Sequence, residues 1–168
     1  PLLSALTDRA FLLAPSSSMN PLVNTSVIPH LGGGIDPTKG QLSRLLARGG
    51  NDVPLLYSDF FNHPAFLEWQ GPKLHLAKES SYGVSQWFEG KLGISQNETM
   101  ISGASTSNYL LEAAAFLGCS PILMVGMDLA FKDKERYAQG VAIHPTDDRW
   151  MRDRMKRTDD ALMPVTGY

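Results

Sequence analysis

The sequence predicts an α/β fold built on a mostly parallel sheet, and three observations carry that prediction. Short apolar runs alternate with helix-like segments along most of the chain. Several of those runs are continuously apolar, the pattern of strands buried on both faces. Turn and cap signals fall between them, as a succession of strand and helix units requires. A chain of 168 residues, 43% hydrophobic and 19% charged, can bury a substantial core and lies outside the disordered class.

The elements follow in order. Ala10–Ala14, "AFLLA", is a compact apolar run stopped by Pro15 and three serines, and reads as a buried strand. Val27–Asp36 is a weaker strand, in which Gly32–Gly34 let the backbone approach a neighbour closely or bend. A helix follows, with Asp36 as N-cap, Pro37 at its first position and Gly49 beyond its end. Val53–Ser58 is a second good strand, "HPAFLEW" a short helix, and Lys73–Lys78 alternates like a strand with one wet face. Tyr82–Gly93 reads as a short helix presenting Val84, Trp87, Phe88 and Leu92 to one side. Ser105–Leu117 is a helix apolar nearly all round, with Gly118 as its C-cap, and Pro121–Ala130 is the next strand. Residues 1–146 therefore form one domain. Residues 147–168 form a charged extension, a solvated helix or oligomer arm ending in a fragment of turn or strand.

Composition excludes several classes. Fifteen basic against 17 acidic residues leave a formal charge of -2, which gives no reason to invoke nucleic acid. The single Cys119 rules out an internal disulfide framework and a cysteine-based zinc cluster, and suits a reducing compartment. Histidines 30, 63 and 75 share no metal-ligand spacing. Tyr109–Phe131 is long enough to raise a membrane question, but Glu112, Pro121 and Asp128 divide it into helix and strand, so no membrane span is expected. The chain has no basic leader, and it begins with Pro1 close to its first strand, as the interior of a longer protein would. The expected location is cytoplasmic, and the two sequons at Asn24 and Asn97 then read as plain surface loops.

Four places carry candidate chemistry. The turn from Ser102 to Asn108 holds four hydroxyls and a glycine before a helix, more than one cap requires. Helix N-termini carry unpaired N–H groups and partial positive charge, so Ser105, Thr106 and Ser107 could hold a phosphate. The turn is neither a Walker loop nor a dinucleotide fingerprint. Gly126 and Asp128 end a predicted strand, on the side where open parallel sheets bind ligands. Asp36 ends another, where an N-cap role also explains it. Tyr137 and His144 lie in the loop after the last strand, a common site of catalytic groups.

The stretch "STSNYLLEAAAFLGCSPILMVGMDLAF…RYAQG" resembles a Rossmann-like domain of the motility accessory factors, the Maf-type flagellin glycosyltransferases. The same domain family includes the MptE-like 6-hydroxymethylpterin diphosphokinases. "LTDRAFLLAPSSSMNPLVNTSVIPHLGGGIDPT" fits its second strand and helix, so the resemblance covers about residues 5 to 145. A more distant likeness joins the bacterial sialyltransferases that use CMP-activated nonulosonic sugars. In them a Thr-Ser-Gly turn contacts the nucleotide-sugar, and Ser105, Thr106 and Ser107 fall on it. Gly126 and Asp128 match a Gly-x-Asp strand end, and Tyr137 matches a phosphate-holding tyrosine if one residue is inserted.

The resemblance implies a three-layer α/β/α domain with a cleft for a nucleotide-activated sugar and, beyond it, a protein acceptor. Ser105, Thr106 and Ser107 would hold phosphate or sugar carboxylate. Asp36 and Asp128 would bind ribose, a metal or an acceptor hydroxyl, Tyr137 the leaving phosphate, and His144 would be the base. An MptE-like diphosphokinase is the alternative, with Mg²⁺ as its metal. A degenerate, non-catalytic domain is the third reading. It rests on Met127, His30 and Tyr137, which stand where the family has Gln, Asp and His. The family's opening Gly-x-Gly-Pro-Ser-Leu phosphate turn would lie upstream of this chain.

Overall fold

The computed structural model describes residues 3–46, 51–76, 83–93, 105–127 and 141. A 3-10 turn over Leu3–Leu6 precedes β1 (Leu13–Pro15), α1 (Ser16–Asn24), β2 (Leu31–Gly34) and α2 (Gly40–Leu46). Then come β3 (Leu55–Tyr57), α3 (His63–Glu68), β4 (Lys73–His75), α4 (Gly83–Leu92) and α5 (Thr106–Phe116). The four strands form one all-parallel sheet in the order β1-β2-β3-β4. This is the expected α/β, Rossmann-like architecture.

Side chains alternate between the faces of a strand, and each face has its own core. On one face Ala14 and Leu55 pack with Met19 of α1, Leu45 of α2, Ala65 of α3 and Trp69. On the other, Leu31 and Leu56 meet Tyr109, Leu110 and Ala113 of α5. The glycines of β2 permit the close approach foreseen for them. A Cβ on Gly33 would lie 2.7 Å from a Leu110 methyl carbon, and one on Gly34 would lie inside the Phe61 ring contact. Helix α5 therefore sits on β2 at a distance that a side chain would forbid.

Several expectations are corrected. Pro15 and the serines after it do not merely stop the first strand. Pro15 is the N-cap residue of a nine-residue helix whose first turn is Ser16-Ser17-Ser18. Helix α2 begins at Gly40, so Asp36 is not its N-cap. The Asp36 carboxylate instead accepts the Thr38 N–H at 2.9 Å, and turn bonds from Gln41 to Thr38 and from Leu42 to Lys39 lead into the helix. The apolar side of α4 faces outward: Val84, Trp87, Phe88 and Leu92 are exposed and Glu89 is buried. Trp87 and Phe88 cover one another edge to face, with no described element over them.

The predicted strand at 121–130 is absent over its described part. Ile122–Val125 is not paired with any described strand, and Leu123 is 82% exposed. Apolar character alone does not make a strand; a ladder partner must satisfy its N–H and C=O groups. The C-cap prediction holds, since Gly118 has φ +77 and its N–H bonds the Ala115 carbonyl. No described helix is long and apolar enough to cross a membrane. Residues 147–168 lie outside the described residues.

Candidate functional site

In a parallel sheet the strand-to-helix turns gather at the carboxyl edge, where ligands bind. Here β1 passes into α1 without a loop, so the first turn of α1 stands directly on that edge. Its N-cap, Pro15, makes no side-chain capping bond. The early N–H groups of a helix have no intrahelical partner, and in α1 no cap replaces one. Ser16 is buried, while Ser17 and Ser18 are partly exposed.

Beneath this turn lies Gln41, fully buried at the start of α2. Its Oε1 accepts the Ser16 hydroxyl at 3.2 Å, and among the described residues its Nε2 has no hydrogen-bond partner. A Cβ on Gly34 would sit 2.9 Å from that Nε2, which places the amide against the last residue of β2. An unsatisfied buried donor costs about 1–3 kcal/mol.

Helix α5 reaches the same edge from the opposite face of the sheet. The Tyr109 hydroxyl lies 2.9 Å from the carbonyls of both Tyr57, at the end of β3, and Leu76, just past β4. Burial pushes the Tyr109 phenol well above its ordinary range, and the nearby Asp59 carboxylate adds to this. The hydroxyl is thus a fixed donor that pins the first turns of α5 to the strand ends. One turn earlier, Ser105 caps the helix by accepting the Asn108 N–H at 3.2 Å, which accounts for Ser105 without a ligand. Thr106 and Ser107 are partly exposed in the first turn.

Asp36 follows β2 on this edge, with both carboxylate oxygens engaged. Oδ1 takes the Thr38 N–H and Oδ2 an N–H of the buried Arg44 guanidinium. The N-cap of α3, Asn62, ties the neighbouring loop down by accepting the Ala65 N–H and donating to the Pro37 carbonyl. Beside them His75, the last residue of β4, contacts Asp59 from the loop after β3, with Nε2 2.5 Å from Oδ1.

Asp36 follows β2 and Ser105–Ser107 open α5 on this side of the sheet, with no described hydrogen bond or ion pair between them. Gly126 has φ +71 at the end of the exposed run, and no described contact joins it to them. Asp128, Tyr137 and His144 lie outside the described residues. Sequence reasoning missed Ser16–Ser18, Gln41 and the His75–Asp59 pair. The first was ambiguous, because proline followed by serines directly after an apolar run is both a strand-stop and a helix-start signal. The other two depend on which strands become neighbours.

Mg²⁺, the metal of the diphosphokinase reading, prefers one or two carboxylates alongside substrate phosphates. The described residues do not fit it. Asp36 is committed to Arg44 and Asp59 to His75, and no described cluster of three His, Cys, Asp or Glu residues could hold a metal. No curated protein and no solved structure matches the chain. The family model for 6-hydroxymethylpterin diphosphokinase MptE-like proteins matches residues 1–134, most of the 168-residue length, and so the chain belongs to the MptE-like family.

Proposed function

We infer that the chain binds a nucleoside triphosphate along the carboxyl edge of its sheet and transfers a diphosphoryl group from it to an alcohol. One observation carries this reading: two hydroxyl-bearing helix N-termini, α1 and α5, open on that edge from opposite faces. Each supplies unpaired N–H groups and a partial positive charge suited to phosphate. Family membership supports the reaction class. In such a transfer the protein chiefly positions the reactants and stabilises charge on the departing phosphate, so a covalent nucleophile is unnecessary.

In this reading Ser17, Ser18, Thr106 and Ser107 hold phosphate oxygens, and Gln41 holds Ser16 in place from below. Asp36 braces Arg44 and the loop after β2. Gly126 and Asp128 are assigned to the ribose side and Tyr137 to the leaving phosphate. The competing reading, transfer from a CMP-activated sugar, uses the same Ser105–Ser107 turn.

Thermal unfolding with each ligand separates the readings. ATP at a hundred times its dissociation constant should stabilise the chain by about 2.7 kcal/mol, and a CMP-sugar should not. Stabilisation by the CMP-sugar alone would replace diphosphoryl transfer with sugar transfer. Stabilisation by neither would leave a degenerate domain.

A further inference from the structure

His75 ends β4, the outermost described strand, on the carboxyl edge where the proposed nucleotide lies. Its Nε2 meets Asp59 at 2.5 Å, and the Tyr57 ring packs on it with centroids 5.3 Å apart. These contacts fix the imidazole in position and orientation. A carboxylate on Nε2 favours the tautomer with the proton there, which leaves Nδ1 as an acceptor lone pair. Among the described residues Nδ1 has no hydrogen-bond partner, and the side chain is 32% exposed. An oriented, accessible imidazole with a carboxylate behind it is the arrangement that general-base catalysis requires.

The other described groups on this edge do not supply that function. Asp36 is engaged by Arg44, and the Tyr109 hydroxyl is held by two carbonyls. The described titratable and charged groups around His75 are Asp59, Tyr57, Tyr109 and Lys73. Lys73 lies two residues earlier on the same face of β4, with its ammonium over the Phe66 ring of α3.

We propose that His75, oriented by Asp59, accepts the proton of the alcohol that receives the transferred group. It takes the role that the sequence assigned to His144. The alcohol O–H bond breaks and its proton passes to Nδ1. The alcohol oxygen bonds to the β-phosphorus of the nucleoside triphosphate, and the bridging bond to the α-phosphate breaks. The nucleoside monophosphate leaves with that electron pair. His75 is thus a catalytic residue and Asp59 a positioning residue.

This proposal rests on the reading of the chain as a diphosphoryl transferase, and one experiment separates the two. ATP binding and transfer from ATP to 6-hydroxymethylpterin are measured across pH 5–9 for the wild type, His75→Gln, Asp59→Asn and Asp59→Glu. Unfolding midpoints confirm that each variant folds. His75→Gln should bind ATP within twofold of wild type, lose about 10²- to 10⁴-fold in kcat, and lose the acid limb of the pH profile. Asp59→Asn should lower kcat more than it raises KM and move that limb, and Asp59→Glu should restore much of the rate. Transfer by the wild type with a kcat in His75→Gln within threefold of it overturns the base assignment alone, whereas ATP binding without transfer by the wild type overturns the transferase reading and the base assignment with it. No ATP binding by the wild type overturns both readings.

Discussion

Gly33 and Tyr109 show how single residues set the geometry of the edge. A methyl group at Gly33 would enter the Leu110 side chain, so α5 would have to lift from the sheet. Gly33→Ala should cost about 1–3 kcal/mol, read as a lower denaturation midpoint; an unchanged midpoint would mean that α5 is free to shift. Tyr109→Phe removes the hydroxyl shared by the Tyr57 and Leu76 carbonyls and should cost about 0.5–1.5 kcal/mol near neutral pH. Its effect changes sign at high pH. Burial raises the folded phenol above the ordinary 10.0, so the folded state keeps a proton that the unfolded chain releases. Stability must therefore fall as pH rises through 10.0 and toward the folded value, and Tyr109→Phe should flatten that fall. Denaturation midpoints at pH 8 and above pH 10 check the slope.

Among the elements, those whose information is local were legible in the sequence. The start of α5 at Ser105 and its stop at Gly118 were readable because cap chemistry lies within a few residues. So was the short helix α3, although its cap is Asn62. Asn62→Ala removes both that cap and the tie to Pro37, and should cost about 1–2 kcal/mol in equilibrium unfolding. A cost near zero would mean that solvent replaces both bonds. What local pattern could not supply was the partner. Ile122–Val125 has the composition of a buried strand without a described ladder beside it, and α4 has an apolar side without a described cover. Helix α1 was hidden for a different reason: Pro15, Ser16, Ser17 and Pro21 serve as both breakers and starters, and only the fold decides between them.

At the scale of the whole molecule, the parallel sheet turns residues distant in sequence into one edge. Ser17, Gln41, Asp59, His75 and Thr106 come from five segments, and their placement along the carboxyl side of the sheet follows from the parallel topology rather than from any motif. The hydroxyl turn at Ser105–Ser107 was legible as a candidate, while its counterpart on α1 needed the fold. The central claim is that both helix N-termini hold the phosphates of one nucleotide. Calorimetric titration of ATP into the wild type, Ser17→Asp and Thr106→Asp tests it most directly. A first-turn aspartate suits the helix but repels phosphate, so each variant should fold as well as wild type while ATP affinity drops more than tenfold. Wild-type affinity in both folded variants would contradict the claim.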